Sequence, residues 1–444
     1  MNNSRIIKGS HSSDSGRCWV MLFCSSVILF LVFGVHYTFG VLYPCLLREF
    51  KQEESKTASV GSLSSGLLFL SSFAAIKTCE WTSVTTTCII GSLLSGAGLI
   101  LTSIVKEFVF LYFVYGVLFG VGSSFLYTPC FVMITKWFCK YQTVATGIAA
   151  ASDTLGGVVL SPVIDYVIQT NGLRETIKSA GIFYLIVTLL CSLSYKFLDD
   201  KNVERYDSEQ DSVLLKRCKL SEEKKKNVLQ TNFQLCRNRR FLMFLLVMMV
   251  TNFTYYIPVI HLVNYAEHLG ISSTSSSYLI SIWSISSICG RLLYGKFISY
   301  HRKCILWVYQ VSMCFSGIVS LAAYFFTNFW MLAGYVVIYG LLDGSFIGLL
   351  SLFTLKIVGL QNFAQGYGIM LTIIGLPIAL GPPIIGFIND HKLCPPASMF
   401  LFSGLPFVFG SILMLFVIKW QKEESVVHDK HKKSNETVCF VSAV

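Results

Sequence analysis

Long runs without Lys, Arg, Asp or Glu alternate with short charged breaks along the whole chain. They cover 18–47, 57–76, 81–105, 108–135, 179–195, 241–266, 268–290, 304–342, 357–389 and 393–418. A helix that crosses a bilayer needs roughly 20 apolar residues, so most runs fit one crossing each. The run 304–342 is too long for one and breaks at Thr327-Asn328, while 144–169 is apolar apart from Asp153 and Asp165. The pattern predicts twelve helices, over 18–46, 58–76, 84–105, 109–135, 144–169, 179–198, 241–266, 274–298, 304–326, 329–357, 365–389 and 396–419. The expected class is an all-α polytopic membrane protein.

Composition sharpens this. Of 444 residues, 54% are hydrophobic and 13% charged, and the mean hydropathy is +0.63. Soluble proteins carry about 25% charged residues. A soluble enzyme, a nucleic-acid binder and a disordered scaffold are therefore excluded. The net charge of +11 is a matter of topology. With both termini inside, 27 of the 35 Lys and Arg fall on the inner side, 7 on the outer side, and Arg291 alone within the membrane. That is the asymmetry of a multi-pass protein with cytoplasmic termini. Most of the fifteen cysteines lie in apolar runs and act as small hydrophobes, Cys394 being assigned to an outer loop. The apolar stretch from Cys18 is too long for a signal peptide core. Sequons at Asn2, Asn252 and Asn435 fall in tails or inside a helix and are expected to stay unmodified.

A mixed-charge linker at 199–240 divides the chain. The expected organisation is an N-terminal tail (1–17), a six-helix bundle (18–198), the cytoplasmic linker, a second six-helix bundle (241–419) and a C-terminal tail (420–444). The halves repeat. Ala145, Gly147, Gly156 and Pro162 are matched by Ala364, Gly366, Gly375 and Pro382, at separations of 219, 219, 219 and 220. Two repeats around a hydrophilic linker resemble the two-bundle layout of major facilitator transporters, in which substrate binds between the halves.

Several motifs resemble the monocarboxylate transporter family of that superfamily. WFCKYQTVATGIAAAS (137–152) is similar to the signature after helix 4, with Phe138, Lys140, Ala145, Gly147, Ala149 and Ala151 matching. DSGRCWV (14–20) is similar to the signature before helix 1, keeping Asp14, Gly16 and Trp19 with Arg17 for its first Trp. GPPIIGFIND (381–390), with Gly381, Pro382 and Pro383, resembles the end of helix 11. A narrower resemblance is to the thyroid-hormone and aromatic-amino-acid branch. It is carried by FGVHYTFGVLY (33–43) with His36, YYIPVIHLVNYAE (255–267) with His261, GRLLYG (290–295) with Arg291 and GLLDGSF (340–346) with Asp343. Proton-coupled lactate carriers of the family have a helix 1 Lys and a helix 8 Asp one turn before the Arg; this chain has Val41 and Ser287 there. The loop 77–83 has also lost the family's Asp-Arg-x-Gly turn, with Glu80, Trp81 and Ser83 instead.

Arg291 is the sharpest candidate. A cation at membrane depth costs about 2.5–3.5 kcal/mol on insertion scales, and a guanidinium matches a carboxylate bidentately. The alternative is a residue snorkelling to the inner surface. Asp343 either pairs with Arg291, meets a substrate ammonium, or is a structural carboxyl. His36 and His261, on helices 1 and 7 and read as equivalent positions of the two repeats, are candidate substrate contacts or satisfied core residues. Asp153 is a candidate for proton coupling, and Asp165 is read as a hydrated residue near the outer end. The glycines of helices 3 and 4 are read as packing residues. No metal-ligand spacing and no cofactor motif is present. Ser442-Ala443-Val444 fits a PDZ-type ligand.

The expectation is a plasma-membrane secondary transporter for a small carboxylate-bearing substrate, an aromatic amino acid or related organic anion including iodothyronines, moved by alternating access as a uniporter. A proton-coupled monocarboxylate symporter and a non-transporting membrane sensor are the alternatives; an enzyme is not expected. Its partners are the substrate and the lipid bilayer, with no nucleic acid and no cofactor, and an accessory membrane subunit left open.

Overall fold

The computed structural model describes residues 16–138, 142–199, 238–301, 304–359 and 363–441. In chain order the helices are α1 (Gly16–Phe50), α2 (Glu54–Leu70), α3 (Ser72–Trp81), α4 (Val84–Ile104), α5 (Phe108–Leu111), a π-helical stretch (Tyr112–Phe119), α6 (Gly120–Trp137), α7 (Gln142–Asn171) and α8 (Leu173–Asp199). The second half has α9 (Arg239–His268), α10 (Ser273–Tyr300), α11 (Ile305–Ala323), α12 (Phe329–Gly348), α13 (Leu350–Val358), α14 (Phe363–Asp390) and α15 (Ser398–Val441). No strand occurs among the described residues.

By length and apolarity ten continuous spans qualify among the described residues, and α2 with α3 forms an eleventh, bent by 41°. The bend falls at a Ser-Ser pair, where the Ser72 hydroxyl donates back to Leu68 O (3.3 Å), an interaction that bends helices. The remaining predicted span, α10, has the length to cross at 28 residues but carries nine serines and Arg291, which keep its hydropathy low. It lies between α7 and α12. The predicted break at Thr327-Asn328 is a helix start, where Asn328 Oδ1 accepts from Met331 N (3.0 Å).

Other boundaries differ from expectation. Span 6 begins at Leu173 rather than 179, because Gly172, at φ +81°, turns α7 directly into α8. The expected 77–83 loop is helical through Trp81, and the tail beyond 420 continues the α15 backbone to Val441. Most of the linker, the PDZ-like terminus, Asp14 and Lys140 lie outside the described residues.

Spans 1–6 and 7–12 pack as two bundles, which meet along α2–α14, α7–α10 and α1–α9. The near end is the one at which α1 begins with Gly16, and the far end is the opposite one. Two of these seams share one device. Pro162 has no N–H for Val158 O, and that carbonyl accepts the Ser281 hydroxyl of the other bundle at 3.0 Å. Pro383 leaves Ala379 O free in the same way, and it accepts the Ser62 hydroxyl at 2.9 Å. Ser62 and Ser281 are separated by the 219 residues of the sequence repeat.

Close approach at the same helices depends on glycine. A Cβ on Gly375 would lie 2.6 Å from Gly66 O, and one on Gly156 would collide with Phe30 O, whereas one on Gly147 would meet nothing within 4 Å. Overpacking of this kind costs about 1–3 kcal/mol or more. Gly156→Leu and Gly375→Leu should therefore lose most of the monodisperse protein in fluorescence-detected size-exclusion chromatography, with Gly147→Ala unchanged. A sharp monodisperse peak for both leucine variants would refute this packing.

Candidate functional site

Arg291 is 9% exposed and sits on α10 facing α7. Its Nη1 donates to Asp153 Oδ1 (2.6 Å) and to Ala150 O. The cation therefore joins the two bundles, and its first carboxylate is Asp153 rather than Asp343. Thr154 Oγ1 donates to the same Asp153 oxygen at 2.5 Å. Nε and Nη2 of Arg291 are buried without a hydrogen-bond partner. A planar guanidinium with two vacant donors is half of a bidentate carboxylate site.

Asp343, 4% exposed on α12, accepts from the Tyr255 hydroxyl (2.8 Å) and from Ser287 Oγ (2.7 Å). Ser287 lies one turn before Arg291, about 6 Å of helical rise toward the far end. The site thus holds two carboxylates around one guanidinium. Ser287 stands where the lactate carriers have Asp, and its hydroxyl serves as a donor to the acid on α12; a second carboxylate there would face Asp343 at hydrogen-bond distance. Val41, which replaces the family's Lys, is a buried apolar residue. Aromatic rings enclose the region, with Tyr37 edge-on to Trp283 (centroids 5.3 Å) across the seam and Tyr255 beside Phe346 (6.1 Å).

The histidines are not gathered here. His36 stacks on Phe119 at 4.8 Å, with Nδ1 3.2 Å from Ser65 Oγ inside the first bundle. Phe119 closes the π-helical stretch of span 4, an irregularity common at functional positions. His261 bonds Pro382 O through Nε2 (3.0 Å) and packs edge-on against Tyr43 (5.1 Å). Tyr43 is two helical turns beyond His36, about 10 Å. The two imidazoles therefore lie at different depths. Asp165 is not hydrated as expected: it is 2% exposed and accepts from Ser273 (3.1 Å), Ser277 (3.5 Å) and Gln169 (2.8 Å). Asn252 is buried and donates to Met248 O, which removes it as a sequon. The two signature motifs touch near the near end, where Trp19 meets Phe138 edge-on at 5.5 Å. Cys24, Cys88 and Cys130 are buried free thiols, and Cys394 is exposed. No metal-binding cluster occurs among the described residues.

A far-end clamp escaped the sequence reading. The Asp390 carboxylate, at the end of α14, accepts from Glu54 N (2.7 Å) and Ser55 N (2.9 Å), the first N–H groups of α2 in the other bundle. An anion at a helix N-terminus satisfies orphan donors and the helix dipole together. The Glu54 carboxylate in turn accepts from Asn389 (2.9 Å) and Asn264 (3.3 Å), and Arg48 pairs with Glu267 (3.6 Å). The far end is latched shut.

Two bundles with matched sequence positions are thus joined at a buried arginine. The Major Facilitator Superfamily model matches residues 22–309. The chain belongs to the major facilitator superfamily. Within this superfamily it is 29% identical over 434 residues to Monocarboxylate transporter 10 of Rattus norvegicus, covering 95% of this chain and 80% of that one. It is 25% identical to Monocarboxylate transporter 12 of Xenopus laevis, covering 90% and 88%. The resemblance to the monocarboxylate transporter family is thereby upheld. Among solved structures, a peptide transporter crystallised with sulfate superimposes with a TM-score of 0.68 at 12% identity, covering 91% of this chain and 94% of that one. A bacterial homologue of the human lysosomal transporter Spinster, in an inward-facing state, gives 0.65 at 15%, covering 92% and 96%. These two matches bear on the fold. This facilitator protein is a multi-pass membrane transporter and not an enzyme.

Proposed function

We propose that this transporter carries aromatic amino acids or related small carboxylates, iodothyronines included, by alternating access as a uniporter, with Arg291 as the carboxylate anchor. The observation that carries this reading is the pair of buried, unpartnered nitrogens on Arg291. A substrate carboxylate satisfies both at once, and its arrival competes with Asp153 for the cation. Loosening that bond frees α7 from α10 and lets one bundle rock against the other. Asp343, one turn toward the far end, is placed for the substrate's ammonium, and the surrounding rings accept an aromatic side chain. His36 and His261 are assigned supporting roles away from the carboxylate.

The orientation that supports this cycle puts the termini and the 199–240 linker in the cytoplasm, with 18–198 and 241–419 as the moving bundles, in the plasma membrane. The clamp at Asp390 then closes the extracellular side.

A second reading has one observation behind it. Two carboxylates around one guanidinium leave one excess negative charge in a buried site, which either a substrate ammonium or a proton can neutralise. A proton on Asp153 or Asp343 makes the protein a symporter. Uptake of labelled tyrosine, tryptophan, triiodothyronine and lactate at external pH 6 and 7.5 separates the two. The expected result is aromatic uptake that varies less than twofold with pH and falls at least tenfold in Arg291→Lys, whose compact ammonium lacks the planar fork. Lactate uptake that rises at pH 6 would replace uniport with proton coupling.

A further inference from the structure

A polar cavity lies at the far end, away from Arg291. It holds about 600 Å³ and is bounded by α9, α14, the loop into α15 and, from the other bundle, Glu54. That size is within the range of about 300–1,000 Å³ for small-molecule sites.

Its polar wall is biased toward acceptors. His261, only 2% exposed, lines the cavity, and its Nε2 is bonded to Pro382 O. A carbonyl only accepts, so Nε2 carries the proton and the neutral ring presents Nδ1 as an acceptor. That Nδ1 is buried without a partner. Asn389 spends its Nδ2 on Glu54, which leaves Oδ1 as a second buried acceptor without a partner. The Glu54 carboxylate is the third acceptor of the same wall; its Oε1 also takes Asn264 Nδ2 (3.3 Å) and lies 3.7 Å from His268 Nε2, and both of these residues line the cavity. Three acceptors with one negative charge suit an ammonium group. Lys392 stands at the rim as an exposed cation, and Tyr265, Pro396 and Met399 supply an apolar surface.

We infer that this cavity is a second ligand site, for an α-amino acid with a large apolar side chain. The ammonium goes to Glu54, His261 and Asn389, the carboxylate to Lys392, and the side chain to Tyr265 and Met399. A simple monocarboxylate lacks the group that most of the wall requires. Glu54 belongs to the first bundle and the other wall residues to the second, so the site is complete only while the far end is closed. Its occupant binds the closed form preferentially and holds it. High amino acid concentration on that side should therefore slow the cycle.

Cys394 lines the cavity and is exposed, which makes it a reporter; Cys304, exposed beside the near end of α11, is the control. The test is the rate of N-ethylmaleimide modification of each thiol, read by peptide mass spectrometry, on the full chain in lipid nanodiscs. L-phenylalanine is expected to slow Cys394 at least fivefold and to leave Cys304 unchanged, while 3-phenylpropionate at equal concentration slows neither. The protection should persist in Arg291→Lys, which keeps the cation beside Asp153, and fall at least threefold in His261→Phe and in the surface variant Lys392→Ala. Equal protection by 3-phenylpropionate, or its loss in Arg291→Lys with Lys392→Ala unaffected, overturns the inference. Protection that survives in Arg291→Lys when aromatic uptake is absent from the wild type keeps this site and rejects the central one, so the two readings fail separately.

Discussion

Arg291→Ala should remove most of the folded protein from the membrane, whereas Arg291→Ala with Asp153→Ala should restore the protein and still carry no substrate. The single change leaves the Asp153 carboxylate buried with only Thr154 as donor, and breaking a buried pair from one side costs about 3–5 kcal/mol. A margin of that size is a large share of the stability of any domain. Removing both partners returns the site to its wild-type excess of one negative charge, on Asp343 with Tyr255 and Ser287 as donors, and the two helices retain their backbone contacts. Transport stays lost because the two donors proposed for the substrate carboxylate leave with the guanidinium. The checks are surface biotinylation and size-exclusion profile for the protein, with tyrosine uptake for function. Should the double variant transport at more than a tenth of the wild-type rate, Arg291 is a structural brace and the substrate is held elsewhere. Asp153→Ala alone completes the cycle; the cation then keeps the Ala150 carbonyl and the nearby Asp343 charge, so the loss of folded protein should be smaller than in Arg291→Ala.

Asp390→Ala should open the far end. Hydrogen bonds to charged groups are worth about 1.5–3 kcal/mol each, and Asp390 makes two to the start of α2, in reach of competing water. A net loss of about 2 kcal/mol corresponds to roughly a thirtyfold shift toward the open form. Spin labels at Glu107 and Thr327, in far-end loops of different bundles, should show a new, longer distance population in Asp390→Ala and a smaller one in Asp390→Asn, which keeps an acceptor. Identical distance distributions in wild type and Asp390→Ala would mean that the clamp does not set the equilibrium.

Apolarity and the Lys/Arg bias are local properties, so the spans and the division into halves could be read along the chain. Arg291 stood out for the same reason: it is the single cation left at membrane depth. Its partner could not be read. Asp153 lies 138 residues away in the other bundle, and only the packing of α7 on α10 selects it over Asp343. The far-end clamp was invisible because Glu54, Asn389 and Asp390 are ordinary polar residues at helix ends, and their meaning arises from the bundle opposite. The signal was present in one respect, an Asn-Asp pair closing one helix and a Glu opening another. Asp165 was misread because two of its donors, Ser273 and Ser277, lie 108 and 112 residues away on a helix of the other bundle. Pairing His36 with His261 by helix number ignored depth, which the repeat does not conserve for these two residues.

The two proline-freed carbonyls give the seams between the bundles the character of a mechanical detent. In an ordinary helix a carbonyl that loses an outside partner still has its own N–H four residues on. Val158 and Ala379 have no such fallback, since the missing donor is covalently absent. Sliding Ser281 or Ser62 partway along its seam therefore meets a carbonyl with no donor until another hydroxyl or water arrives, and the energy along that path rises and falls in steps instead of drifting. Because the two catches sit at repeat-related places, they resist displacement together. The two seams thus favour the one relative position in which both hydroxyls are seated on their carbonyls.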